Sequence, residues 1–162
     1  FIMNLMKNWY LLKSKPRQEN VAVDNLQNQN YRTFCPKVII NNKTVILFPG
    51  YIFIQLDKKN QNWSPIRSTK GVSNFVKFGL NFAKVPNNVI EFIKTNELST
   101  KEKIINLNNF KPGENVRITD GMFKNCVAIF KSFKSDDRVL LLINLLGQQQ
   151  SINTDRKLII RI

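Results

Sequence analysis

The 162-residue chain contains no histidine. That removes the commonest general base, the commonest transition-metal ligand and every Ser-His or Cys-His nucleophile pair. Its two cysteines, Cys35 and Cys126, stand far apart in sequence. Two thiols cannot complete a zinc site and form no disulfide framework, so they read as reduced, buried side chains of a cytoplasmic protein. Asp24, Asp57, Asp120, Asp136 and Asp137 fall into no acid/base or metal-ligand spacing, and Asp136-Asp137 reads as a turn or a helix cap. Nothing here calls for an enzyme, a cofactor or a metal. What remains is cationic: 25 Lys and Arg oppose 11 Asp and Glu, a formal charge of +14. Such an excess favours a polyanionic partner, usually nucleic acid. The competing explanation is a solvated basic surface.

Those side chains need a scaffold, and 43% hydrophobic residues are enough to bury a core. The longest uninterrupted apolar run, Val139 to Ile143, is too short to span a bilayer, and no segment has the order of a signal peptide. Residues before Trp9 carry little weight. Trp9-Tyr10-Leu11-Leu12 reads as a short strand, followed by the basic loop "KSKPRQE" with Pro16 suited to a helix start. From Arg17 to Asn28, Val21, Ala22 and Leu26 recur at helical spacing. Tyr31 to Pro36 is expected as a strand, and Val38 to Val45, broken at Asn41-Asn42, as a hairpin. In "WSPIRSTKGVSNFVKFG", Pro65 and Gly71 mark turns, and Val72, Phe75, Val76 and Phe78 are core candidates. "VPNNVIEFIKTNE" reads as a helix with Val89, Ile90 and Ile93 on one face.

One strand raises a question of its own. In "LFPGYIFIQL", Pro49-Gly50 turns the chain and Tyr51 to Leu56 extends it. Ile52, Ile54 and Leu56 share one face, and Tyr51, Phe53 and Gln55 the other. Two aromatics stand where a solvated face would be polar. Periodicity alone favours an ordinary second core layer for them.

Glu97 to Asn109 is polar and reads as a linker. The end of the chain is ambiguous. "KPGENVRITDGMFKNCVAIF" has the turns and alternation of a small β-barrel, yet Phe123, Cys126, Val127, Phe130 and Phe133 form a helical stripe. "VLLLINLL", Val139 to Leu146, is apolar almost throughout, and leucine favours helix.

Taken together, "WYLLKSKPRQE", "LFPGYIFIQL", "IRSTKGVSNFVKFG", "VPNNVIEFI" and the KOW-like "KPGENVRITDGMFKNCVAIF" followed by "RVLLLINLLGQQQSI" resemble the NusG family of transcription elongation factors, the RfaH branch most closely. The resemblance covers nearly the whole chain from Trp9, in family order. It implies an α+β fold: an α/β-sandwich N-terminal domain over residues 8–96, a linker over 97–110 and a C-terminal KOW domain over 111–162. In the RfaH branch that last domain is an α-helical hairpin when autoinhibited and a five-stranded β-barrel when released. Implied partners are the RNA polymerase β′ clamp helices, the β-subunit gate loop, the non-template DNA strand and, through the C-terminal domain, the ribosomal protein NusE. The family is not enzymatic, and the chain is expected to be a cytoplasmic monomer.

The resemblance assigns residues one by one. Tyr51 and Phe53 match positions lining the polymerase-binding pocket. Lys15, Gln18, Asn25, Thr69 and Lys70 match DNA-reading positions; Lys15 and Lys70 suit phosphate, and the amides of Gln18 and Asn25 suit a base edge. Asn25 and Lys70 stand where the best-known members carry histidine and arginine. Phe123, Phe130, Arg138, Leu141, Leu142 and Leu145 match the contact between the domains. The gate-loop tripeptide falls on Asn62-Trp63-Ser64. The glutamate that would pair with Arg138 is replaced by Val45, which leaves either another acid or apolar contact alone. Two rivals stand beside this reading: a general NusG-like factor with a permanent barrel, and a ribosomal or RNA-binding KOW module.

Overall fold

The structure is a computed structural model that describes residues 7–59, 61–98 and 120–160, with the side chains of the last segment from Gly121 to Gln149. The elements run β1 (Lys7–Ser14), α1 (Glu19–Asn28), β2 (Arg32–Phe34), β3 (Lys37–Ile40), β4 (Lys43–Ile46), β5 (Tyr51–Asp57), α2 (Ser64–Arg67), β6 (Val72–Phe75), β7 (Lys77–Phe78), β8 (Asn81–Phe82), β9 (Lys84–Val85), α3 (Asn87–Asn96), α4 (Asp120–Lys131) and α5 (Ser135–Ile160). They divide into two compact units. One holds the described residues up to Cys35 together with Phe48–Asn87; the other holds Pro36–Leu47 and the described residues from Asn88 onward.

The first unit is a five-stranded antiparallel sheet in the order β2-β5-β1-β6, with β9 also paired to β1. The register sets Tyr10 opposite Ile54 and Leu12 opposite Ile52. That face gathers Tyr10, Leu12, Ile52, Ile54 and Leu56 with Ala22 and Leu26 of α1 into one buried cluster. The strand parity read from the sequence is the parity observed. Helix α1 is shorter than its apolar spacing suggests. Arg17 has φ +59°, in the left-handed region, so regular helix begins only at Glu19. The expected strand over Tyr31 to Pro36 pairs only across Arg32–Phe34. Val76 and Phe78, read as core, are only half-buried, because their segment opens into the short β7–β8 ribbon.

The second unit contains the β3–β4 ribbon, turned by Asn41 and Asn42 at φ +51° and +61° as a two-residue hairpin requires. Val89, Ile90 and Ile93 of α3 are buried as their spacing indicated. Both ambiguous C-terminal stretches are helical over their described residues. Helix α4 ends at Lys131, so Phe133 leaves the stripe expected of it and is 70% exposed in the turn. There Ser132 closes the helix, its N–H donating to Ile129 O (3.2 Å) and its hydroxyl to Ala128 O (2.9 Å). Asp136 and Asp137 lie in the first turn of α5, where negative charge meets unpaired N–H groups. The expected linker begins with Glu97 and Leu98; the rest of it, and the KOW-like segment before Asp120, lie outside the described residues.

Ile54 is fully buried at the middle of the β1–β5 pair. Ile54→Ala should cost about 2–5 kcal/mol by transfer and cavity terms. Urea unfolding measures it, and a loss under about 1 kcal/mol would mean that the site collapses freely around the deletion.

Candidate nucleic-acid interface

The expected DNA-reading residues lie on two segments that the backbone ties together. Strand β1 breaks register between Lys13 and Ser14, and the N–H of Lys15 then donates to Gly71 O (2.8 Å). The N–H of Gln18 donates back to Lys15 O (3.0 Å), forming the turn that starts α1. The far end of α1 is tied to the same place, where Gln29 Nε2 donates to Thr69 Oγ1 (2.9 Å). Between these ties α1 lies directly on Gly71, whose φ is +92°. A Cβ there would stand 2.7 Å from the backbone nitrogen of Ala22. Glycine is therefore required twice over, for the turn and for the close approach.

This geometry brings Lys15, Gln18, Thr69 and Lys70 to one edge of the sheet. Lys15 and Lys70 are exposed and their ammonium groups are available for phosphate. Gln18 is half-buried at the N-cap of α1 and makes no side-chain capping bond, so its amide is uncommitted there. Asn25 is partly committed: its Nδ2 donates to Val21 O (2.8 Å), leaving its Oδ1 as acceptor. Thr69 is 7% exposed, and its hydroxyl donates to Pro65 O (2.8 Å) while accepting from Gln29. Its observed work is to hold the α2–β6 turn. Gln29 escaped the sequence reading, since only the fold sets a helix-end amide beside a residue forty positions on.

The second face of β5 is aromatic in space as well as in sequence. Phe53 is 1% exposed, stacked on Phe34 at 5.9 Å and 29° and met edge-on by Phe48 at 5.9 Å and 80°. Tyr51 is half-buried. Glu19, at the start of α1, accepts the N–H of Gly50 (3.0 Å) and so fixes the turn that presents Tyr51. Within the second unit, Phe92 of α3 meets Phe123 edge-on (5.4 Å, 89°) and Phe130 at 5.9 Å. Phe130, Leu142 and Leu145 are buried, Phe123 and Leu141 half-buried, and Met122, Ile129 and Leu146 extend the buried set beyond the sequence reading.

The family profile described as "Transcription termination factor nusG" matches residues 7–94, more than half of the chain. The chain belongs to the NusG family. Among curated NusG-family relatives, a "Transcription termination/antitermination protein NusG" from Staphylococcus aureus strain Mu50 is 26% identical over 171 residues, covering 92% of each chain. A protein of the same name from Chlamydia trachomatis serovar D is 21% identical over 166 residues, covering 91% of each. A solved structure described as "Domain interaction in Thermotoga maritima NusG" is 17% identical with a TM-score of 0.44, covering 68% of this chain and 63% of that one.

The structure describes both positions at which the sequence departs from the pattern implied by the resemblance. Val45 faces Val38 across the β3–β4 ribbon and cannot pair with a cation. The sequence left either another acid for Arg138 or domains held by apolar contact alone; among the described residues Arg138 meets no acid. Arg138 is 3% exposed, and its Nε donates to Leu47 O (2.8 Å). One of its terminal nitrogens donates to Ser132 O (3.1 Å) and Phe133 O (3.0 Å). Backbone carbonyls replace the carboxylate, and burial draws the guanidinium pKa below its ordinary value. At Asn62-Trp63-Ser64, Asn62 O accepts from the Tyr31 hydroxyl (2.6 Å) and Trp63 Nε1 donates to Asp57 O (3.1 Å). Among the described residues no three His, Cys, Asp or Glu side chains could hold a metal ion, and no helix is long and apolar enough to cross a membrane.

Two outcomes follow from this geometry. Gly71→Ala should lower stability by about 1–3 kcal/mol through strained φ and displacement of α1. Thermal unfolding checks it, and an unchanged midpoint would deny the close approach. Cys126 is 3% exposed, and burial pushes its thiol from 9.0 up to about 12. Below pH 9.0 the thiol is neutral whether folded or not; between there and about 12 the unfolded thiol ionises first, so packing of α4 weakens as pH rises. Alkylation at pH 8 should therefore be far slower at Cys126 than in urea. Equal rates would mean that α4 is not packed.

Proposed function

We propose that this NusG-family chain is an RfaH-like transcription elongation and antitermination factor. In this reading the β5 face carrying Tyr51 and Phe53 takes the β′ clamp helices of RNA polymerase. The edge carrying Lys15, Gln18, Thr69 and Lys70, together with Asn25 of α1, takes the displaced non-template strand, and pausing and termination are suppressed. Helices α4 and α5 are the closed form of a C-terminal domain that opens to a five-stranded barrel and then recruits NusE. The proposed domain limits are 8–96, 97–110 and 111–162.

The observation that carries the reading is helix over residues 120–160, where the family resemblance places a KOW barrel. Phe92, Phe123 and Phe130 form an apolar contact, and Arg138 joins the α4–α5 turn to the end of the β3–β4 ribbon. Both are what a closed form needs: a buried apolar patch and a polar fixing point. Curated relatives named as termination/antitermination proteins support the transcriptional role. They equally suit a general NusG-like factor with a permanent barrel, and helical α4 and α5 weigh against that. The profile match over residues 7–94 weighs against a ribosomal KOW module, which has no need of that domain.

Arg138→Met keeps length and removes the three carbonyl contacts. If the closed form limits access, the apparent affinity for an isolated clamp-helix fragment rises with the open fraction. Titration should show tighter binding, with faster amide exchange in α4 and α5. Unchanged affinity alongside faster exchange would separate the helices from any gating role. Phe53→Ala should weaken clamp-helix binding by about 2 kcal/mol if Phe53 is an anchor. Lys15→Glu and Lys70→Glu should lower affinity for single-stranded DNA and flatten its salt dependence. Salt-independent binding by the unmodified chain would remove the phosphate assignment.

A further inference from the structure

A cleft of about 610 Å³ opens between α2 and the β6–β8 segment, lined by Trp63, Ser64, Arg67, Ser73, Phe75 and Phe82. Three of its walls are rings lying nearly parallel. Phe75 and Phe82 are 4.4 Å apart at 18°, and Trp63 lies 6.1 Å from Phe75 at 21° and 5.9 Å from Phe82 at 26°. Phe75 is buried, while Trp63 and Phe82 rest on the core cluster and keep part of their surface in the cleft. The edge of Tyr10 supports both, at 5.0 Å from Trp63 and 6.5 Å from Phe82. Trp63 and Phe82 are each half-buried, so both rings leave part of their surface at the cleft.

The surrounding charge selects the ligand. Arg67 is exposed on the rim and, among the described residues, makes no ion pair or hydrogen bond. Its five N–H donors suit a phosphate group. Lys77 Nζ lies 5.1 Å from the centroid of the Phe82 ring, adding a second cation. Ser64 and Ser73 add hydroxyls at the rim. Arg67 is also three residues before Lys70 in the chain. No acidic side chain lines it.

The geometry points to a base-stacking subsite for one unpaired nucleotide of a single-stranded nucleic acid, with Trp63 and Phe82 as the platform and Arg67 on its phosphate. This rests on the reading of a nucleic-acid partner, and it gives Trp63 and Ser64 a role other than the gate-loop contact that the family resemblance implies for them. The indole N–H of Trp63 is already committed to Asp57 O, so the ring can contribute stacking and no hydrogen bond. Such a platform accepts any base and reads no sequence. A base inside a duplex cannot reach it, so the subsite selects the unpaired strand.

The test uses the full chain carrying Trp9→Phe, which leaves Trp63 as the only tryptophan. A short oligothymidylate should quench its fluorescence saturably, with an affinity that falls as salt rises; the matched duplex should not quench. Trp63→Leu should weaken binding about tenfold, within the range that base–aromatic stacking supplies. Arg67→Ala, an exposed change that leaves the core intact, should weaken it several-fold. Oligonucleotide binding without quenching, or with Trp63→Leu and Arg67→Ala both at wild-type affinity, overturns the subsite. If Lys15→Glu and Lys70→Glu still reduce binding in that case, the wider nucleic-acid reading survives. If they too change nothing, both fall. Loss of polymerase binding by Trp63→Leu with oligonucleotide affinity intact also overturns the subsite and gives the cleft to a protein segment.

Discussion

The β1–β5 ladder is apolar on both faces, and the rest of the first unit follows from that constraint. Tyr10, Leu12, Ile52, Ile54 and Leu56 demand a helix on one side, and α1 supplies Ala22 and Leu26. Trp9, Leu11 and Phe53 demand cover on the other, and Phe34 and Phe48 meet Phe53 there. Both faces of this pair of strands therefore contribute burial, at about 25 cal/mol per Å² of apolar surface. Lys15 follows the end of β1, and Tyr51 begins β5.

The close approach of α1 to Gly71 converts that scaffold into a surface. Without a side chain at Gly71, the turn carrying Thr69 and Lys70 comes within backbone hydrogen-bonding reach of Lys15. Two cations distant in sequence then share one edge, with the aromatic cleft of Trp63, Phe75 and Phe82 reached along the same α2–β6 connection.

In the second unit backbone carbonyls do the structural work that a carboxylate could do for a buried cation. The three carbonyl partners of Arg138 satisfy a buried guanidinium without a second charge. A carbonyl is a weaker partner than a carboxylate, so this fixing point costs less to break. It also has no acid to titrate, so it should hold across the acidic range where an ion pair would fail. Buried Cys126 sets the opposite limit, weakening the packing only under strongly alkaline conditions.

Much of this was legible in the sequence. The parity of β5, the hairpin at Asn41-Asn42 and the core face of α3 all follow from local pattern and turn chemistry, because each depends on residues within a few positions of one another; the family was legible only as a resemblance of motifs along the chain. The candidate site was legible as a set of residues but not as an arrangement. That Lys15 meets the Gly71 turn, that the Thr69 hydroxyl is spent on Pro65 and Gln29, and that Trp63 joins Phe75 and Phe82 are decided by contacts between segments far apart in the chain. The C-terminal stretch shows the division most clearly. Val139 to Leu146 is apolar at nearly every position, so it satisfies a helix or a strand equally, and no local rule separates them. Apolar packing and backbone satisfaction decide between the two, and tertiary structure alone supplies them: Phe92 against Phe123 and Phe130, and Arg138 on three carbonyls.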